Sequence, residues 1–504
     1  MPTIGLLPLD ERPCNYRFPS LMCQGNDNIR LLVPPKVWMG EKKSPANTEA
    51  LSQWVMDQAR HCDALVISLD TLVYGGIAPS RLHHLSLETC LRRLEVIRRL
   101  RMELPNLKLY GFNLIMRAPA YSSSEEEPDY YADYGRELYL IGRGRDMNAL
   151  LGDRMPAAER AQWEKASAFV PANVLEDFES RRKINHQVNL CAIDLARHGI
   201  LDFLVIPLDD CAQYGWAPGE QRTLRQEIIG GGLGTRIHVY SGADDVGSVL
   251  VARAVNQLRG RTPLVHVRTS ASGGNFVIPK YEDRMFGESV KWQIVTAGGL
   301  PWPVPGEADW VLMTNAPTAS GEDMTEAPLA LESRHPSYNT DRCLPEFITA
   351  LKTLAGRMPV ALADAAMGNG ADDELMNLLA AEGLLESLSA YGGWNTAANA
   401  MGACIAQAML RGDGETGADA FTVMRLVEDW GYMVHARETA IKTITRLGGD
   451  AFSLMGHGEM LGQAVTQELN DFLMQKAPSL ARAWQVTEVT FPWHRLFEID
   501  FQLR

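Results

Sequence analysis

The chain has 504 residues, 46% hydrophobic and 22% charged, with a formal net charge of −14. That is the composition of an ordinary globular protein too long for one small domain. The acidic balance argues against a nucleic-acid partner, which needs a basic stripe to meet phosphate. The Arg92, Arg93, Arg98, Arg99, Arg101 cluster reads as a solvated helix face.

Short apolar runs closed by an acid or an amide recur along the whole chain. In order they are TIGLLPLDE (3–11), ALVISLD (64–70), KLYGFNLIMR (108–117), FLVIPLDD (203–210), RIHVYSGADD (236–245), DWVLMTN (309–315), PVALADAAMGNG (359–370) and SLSAYGGWNT (387–396). Continuous runs of this length suit strands covered on both faces. Helical patterns alternate with them at 46–61, 86–103, 183–198, 244–258, 284–297, 342–355, 372–381 and 396–411. In 86–103, for example, Leu87, Leu91, Leu94, Ile97 and Leu100 form one stripe. Strands alternating with helices mean βαβ units and a parallel sheet.

Eight such strands predict an α/β fold of the (β/α)8 barrel type over 1–412. The alternative, an open doubly wound sheet, is disfavoured because no strand-to-helix turn carries GxGxxG or GxxxxGK[ST]. A ninth run, PLVHVRTS (263–270), is assigned to a small α/β insertion at 263–302. Residues 121–182 read as a helical excursion, and 413–504 as a C-terminal helical domain or cap ending in the aromatic stretch VTFPWHRLFEIDF. If the barrel closes, first and last strands become neighbours and LDERPCN faces GGWNT across one mouth.

None of the eight cysteines stands at CxxC spacing, so they read as reduced thiols rather than zinc ligands or disulfides. The N-terminus lacks a signal-peptide pattern, and no apolar stretch nears the roughly 18 residues of a membrane span. The expected location is cytoplasmic, with no membrane partner; a homo-oligomer is compatible with the composition.

Polar groups at the C-terminal ends of parallel strands are where α/β enzymes keep their sites. The sharpest candidate is Asp209-Asp210 in IPLDDCAQYGW. Two close carboxylates repel, one pKa rises, and that group can hold a proton near neutrality, as glycosidic-bond cleavage requires. A helix N-cap is the competing reading. Asp244-Asp245 and Asp372-Asp373 read mainly as such caps. Asp10, Glu11, Arg12 and Asn15 end the first strand; Asp70, Asn113, Arg117, Asn315, Asp364 and Asn369 end or follow others; Tyr214 and Trp216 follow the Asp pair. Trp394, Asn395 and Asn399 suggest a sugar platform, with indole stacking and amide hydrogen bonds; a core Trp beside a Thr N-cap is the alternative. Ser-His-Asp chemistry has no GxSxG, and no HExxH occurs. No metal or cofactor is assigned, although strand-end acids could hold Mg2+ or Mn2+.

PLDERPCN, PLDD followed by YGW, SGADDVG, IPKYED, LADAAMGNGADD and YGGWNTAANAMG together resemble a bacterial family carried as domain of unknown function 4127, over nearly the whole chain. The IPLDD strand end is also similar, in that one motif, to the Asp-Asp pair of barrel N-acetyl-hexosaminidases that work by substrate assistance. That resemblance implies Asp209 as the orienter of an acetamido group and Asp210 as general acid/base; the following YGWAPGEQ has no counterpart there. The expectation is therefore a glycoside hydrolase-like enzyme for a small sugar or amino-sugar glycoside. A metal-dependent hydrolase, lyase or isomerase and a non-catalytic sugar-binding protein are the rivals.

Overall fold

The computed structural model describes every residue except Asp27, 328–332 and 412–413. The boundary expected after residue 412 therefore lies outside the described residues. All eight predicted runs form strands, and all eight predicted helices form. The strands are β1 (Thr3–Leu7), β2 (Arg30–Leu32), β3 (Ala64–Ser68), β4 (Lys108–Phe112), β5 (Phe203–Leu208), β6 (Ile237–Ser241), β7 (Leu264–Thr269), β8 (Leu300–Pro301), β9 (Trp310–Asn315), β10 (Val360–Asp364) and β11 (Ala390–Gly392), followed by β12 (Val486–Thr490) and β13 (Asp500–Leu503). β3, β5, β6, β9 and β10 are buried at every residue, which is why their apolar runs are unbroken.

The protein is α/β, but the strands do not close a barrel. They form two open parallel sheets, ordered β2-β1-β3-β4-β5-β6 and β11-β10-β9-β7-β8. The reason lies in β1: its two edges are taken by β2 and β3, so no final strand can return to pair with it. β2 and β8, with three and two residues, are too short to leave a hydrophobic pattern. The run 263–270 is likewise no insertion. As β7 it lies between β8 and β9 and founds the second sheet.

Both sheets share one winding. In each, the first strand in sequence sits between the second and the third, and later strands are added on the third's side. Right-handed βαβ units wound from a central first strand produce this order. The repetition is one of topology, carried without a sequence period.

Contacts divide the chain into two compact units, one of 1–11, 28–254 and 281–284, the other of 12–27, 255–280 and 285–504. The first holds β1–β6. Its helical layer includes Tyr131–Leu151, Ala157–Phe169 and Ala172–Arg197, packed through Tyr131, Leu138, Ile141, Ala166 and Phe178. The second holds β7–β11, a π-helix over Leu426–Ala436 and an antiparallel β12–β13 hairpin that carries the late aromatic stretch. No helix among the described residues is long and apolar enough to cross a membrane.

Candidate functional site

In the first unit the C-terminal strand ends build a charged centre. β5 ends at Leu208, so Asp209 and Asp210 sit where the chain leaves the sheet. Arg81, on the short helix Ile77–Leu82, is only 2% exposed and donates to Asp209 Oδ2 at 2.6 Å, Glu126 Oε2 at 2.9 Å and Glu127 Oε1 at 3.3 Å. Arg117, just beyond β4, donates from Nε to Glu127 at 2.8 Å, and from its terminal nitrogens to Asp210 at 3.0 Å and Glu126 at 3.2 Å. Two guanidiniums thus serve four carboxylates.

The Asp pair is divided by its surroundings. Asp209 is clamped: one oxygen faces Arg81 and the other accepts the Asp210 backbone N–H at 2.9 Å. Asp210 keeps 28% of its side chain exposed, yet crowding by protein atoms pushes its pKa up to about 6 against the pull of Arg117, with Asp209 adding repulsion. Asp70 stands beside them at the N-terminus of helix Leu69–Tyr74, capped by Ser68, and accepts the Leu114 N–H at 2.9 Å. Burial lifts it to about 7; Asp209 pushes the same way, and Arg81 opposes.

The centre is held from behind by helix Ala172–Arg197. Arg182 donates to the Met116 and Arg117 carbonyls at 2.8 and 3.1 Å and is braced by Glu220. Asn185 donates to the Ser80 carbonyl at 2.9 Å, and Asn189 to that of Leu114 at 3.0 Å while accepting from Asn113. Asn113 is fully buried and tied through its Nδ2 to that helix. Arg182, Asn185 and Asn189 lie on one helix face at spacings of three and four, a polar stripe that ordinary patterning assigns to water. Arg81, Glu126, Glu127 and Arg182 escaped the sequence reading for that reason: each looks like surface until its partners arrive.

Trp216 donates its indole N–H to the Leu138 carbonyl at 2.8 Å and packs against Phe178, so it belongs to the helical layer; the Arg143 guanidinium lies 5.9 Å from the Tyr214 ring. Asp10 and Asp244 are buried at the ends of β1 and β6, and Glu11 accepts the Lys42 N–H at 2.9 Å. Asp244-Asp245 directly precedes helix Val246–Leu258.

The second unit holds its own polar strand ends, more deeply buried. Asn315, closing β9, accepts from Ser270 at 2.9 Å and donates to Asp364 at 2.8 Å and Asp372 at 3.1 Å. Asp364 also accepts the Asp372 N–H at 2.8 Å, and Arg342 pairs with Asp372. Burial, reinforced by Asp372, raises Asp364 to about 7. Asp372 is the N-cap of Asp373–Ala381, as its pattern suggested, and a network member as well. Asn369 and Asn395 both adopt left-handed backbone, at φ 59° and 70°, and the Asn369 N–H donates to the Asn395 carbonyl at 2.8 Å. On the π-helix, Asp429 accepts the Gly393 N–H at 2.7 Å and pairs with Arg425, locking the turn after β11.

Trp394 does not offer an open face. It is 6% exposed, its ring lies 5.6 Å from that of Phe497, and Thr396 caps the next helix by accepting the Asn399 N–H. The alternative core-Trp reading is the one that holds. Since β1 and β11 belong to different sheets, LDERPCN and GGWNT do not meet as barrel neighbours. Arg12 and Asn15 instead group with the second unit. There Arg12 stacks over Trp493 at 4.6 Å, Arg495 covers Trp493 at 4.5 Å and Phe497 at 4.9 Å, and Phe497 reaches Trp394. The C-terminal segment makes this link.

Among the described residues no group of three or more His, Cys, Asp or Glu is arranged to hold a metal ion. The fold and the strand-end centres now stand beside a whole-chain match: the family described as "Protein of unknown function (DUF4127)" covers residues 4–502. The chain belongs to the DUF4127 family. No curated protein matches it. In this DUF4127 protein Asp209, Asp210, Arg81 and Arg117 form a centre in which two guanidiniums meet adjacent carboxyl groups, one of them partly exposed.

Proposed function

We propose that this DUF4127 protein is a glycoside hydrolase-like enzyme acting on a small sugar or amino-sugar glycoside, with Asp210 as its proton-transferring carboxyl. One observation carries the reading: two adjacent strand-end acids lie in unlike surroundings, Asp209 clamped by a buried guanidinium and Asp210 partly exposed with its pKa pushed up to about 6. A carboxyl in that range is protonated in a useful fraction near neutrality and can donate to a leaving oxygen. Asp209 acts through Asp210 by holding its backbone N–H, and Arg117 sets the carboxyl's direction. Substrate assistance is one route open to such a site; with Trp394 buried, the sugar is recognised by hydrogen-bonding groups rather than by that indole. None of the eight cysteines forms a disulfide among the described residues, which supports a reducing, cytoplasmic setting for this activity.

The test is cleavage of an aryl glycoside panel, amino sugars included, by the parent and Asp210→Asn. Turnover of substrates with poor leaving groups falls about 10^2- to 10^4-fold in the variant, whereas dinitrophenyl glycosides, which need no proton, are affected far less. In the parent, rate on the poor leaving groups declines as pH rises through about 6, because the acid must be protonated. Equal rates for both proteins on the poor leaving groups would sink the proposal.

A further inference from the structure

Tyr281–Arg284, in which the IPKYED motif ends, belongs to the first unit. Tyr281 adopts left-handed backbone at φ 69°, a conformation that side chains disfavour and that persists where the surroundings impose it. It presents its carbonyl to Cys211, accepting the N–H at 3.0 Å and lying 3.5 Å from Sγ. Burial pushes the Cys211 thiol up, which suits a packed sulfur rather than a nucleophile.

Cys211 follows Asp210, so this backbone bond holds the peptide plane on the C-terminal side of Asp210. The plane on its N-terminal side is held as well, since Asp209 accepts the Asp210 N–H at 2.9 Å. With both flanking planes fixed, φ and ψ of Asp210 are set, and with them the direction in which its carboxyl leaves the chain toward Arg117. The Tyr281 carbonyl is itself anchored two residues on. Asp283 accepts from Ser241 Oγ, at the end of β6, at 3.0 Å and from Gln221, on helix Trp216–Gly230, at 2.8 Å. It also accepts from Arg284 Nε at 2.7 Å, and Arg284 donates to the Val239 carbonyl at 2.9 Å. We infer that Asp283 is a positioning residue of the Asp209-Asp210 site, aiming the Asp210 carboxyl through the Tyr281 carbonyl and the Cys211 amide. The inference rests on Asp210 as the proton-transferring group.

The test is Asp283→Ala in the full chain, read in two ways. The first needs no substrate: carbon NMR of protein labelled at its aspartate carboxyl carbons, with the Asp210 resonance assigned by its absence from Asp210→Asn. Released from its fixed planes, the carboxyl swings into water while Arg117, Asp209, Arg81 and Glu126 stay in place. Burial outweighs Arg117 in setting its pKa, so the value falls from about 6 toward the ordinary 3.8, by about one unit or more. The second is turnover of aryl glycosides: kcat on poor leaving groups drops about tenfold with KM little changed, and dinitrophenyl glycosides, which need no proton, are spared. Asp283→Asn, which keeps an acceptor oxygen, shows both changes at smaller size and decides the matter if Asp283→Ala does not fold. A folded variant with parental Asp210 titration, or a kcat loss equal on both kinds of glycoside, overturns the inference. Cleavage by neither protein refutes the glycoside reading alone, and the titration still supports or overturns the positioning role.

Discussion

Replacing Asp70 by asparagine should stabilise the first unit, in a way that depends on pH. Asp70 is 2% exposed and spends one oxygen on the Leu114 N–H, an acceptor role that an amide carbonyl keeps. Burial lifts its pKa from 3.8 to about 7, so the folded state binds this proton more tightly than the unfolded chain. The carboxyl's contribution is therefore fully present below about pH 4 and is lost as pH rises through about 7. At 1.36 kcal/mol per pKa unit the loss is about 4 kcal/mol, to order of magnitude. Asparagine has no proton to lose. Asp70→Asn is thus expected to match the parent near pH 4 and to exceed it by a few kcal/mol at pH 8. Because the chain has two compact units, global unfolding need not be two-state, and urea titrations should be read through hydrogen exchange of β3 and β4 amides. A variant no more stable than the parent at pH 8, by that local readout, would refute the reasoning.

Two further substitutions test the structural claims. Arg81→Met strips the guanidinium from Asp209, Glu126 and Glu127 and should cost about 3–5 kcal/mol, which urea unfolding at pH 7 checks. Trp394→Ala should lower stability by about 3–5 kcal/mol by opening a cavity against Phe497; parental stability combined with lost sugar affinity would restore the exposed-platform reading.

Strand ends were the legible part of the site. Asp209-Asp210, Asp70, Arg117, Asn315 and Asp364 stand out in the chain because each closes an apolar run. Their partners are not legible. Arg81 lies in an unremarkable helical segment, and Glu126 and Glu127 in an acidic stretch that reads as solvent-facing. Nothing local distinguishes a buried ion pair from a solvated one, since the difference is made by partners 9 to 128 positions away.

Alternation of buried strands with helices, and hence a parallel α/β protein with acids and amides at its strand ends, follows from the chain alone, because burial on both faces demands unbroken apolar runs. Whether those strands close a barrel or lie in two open sheets was decided by pairing. The outcome hinges on β2 and β8, five residues in all, which occupy the edges of β1 and β7 and leave no hydrophobic signature. Tertiary structure likewise decided the roles of the acids. Asp209 and Asp210 are chemically identical neighbours, and only the placement of Arg81, Arg117 and the surrounding protein clamps one and leaves the other partly exposed with its pKa pushed up to about 6.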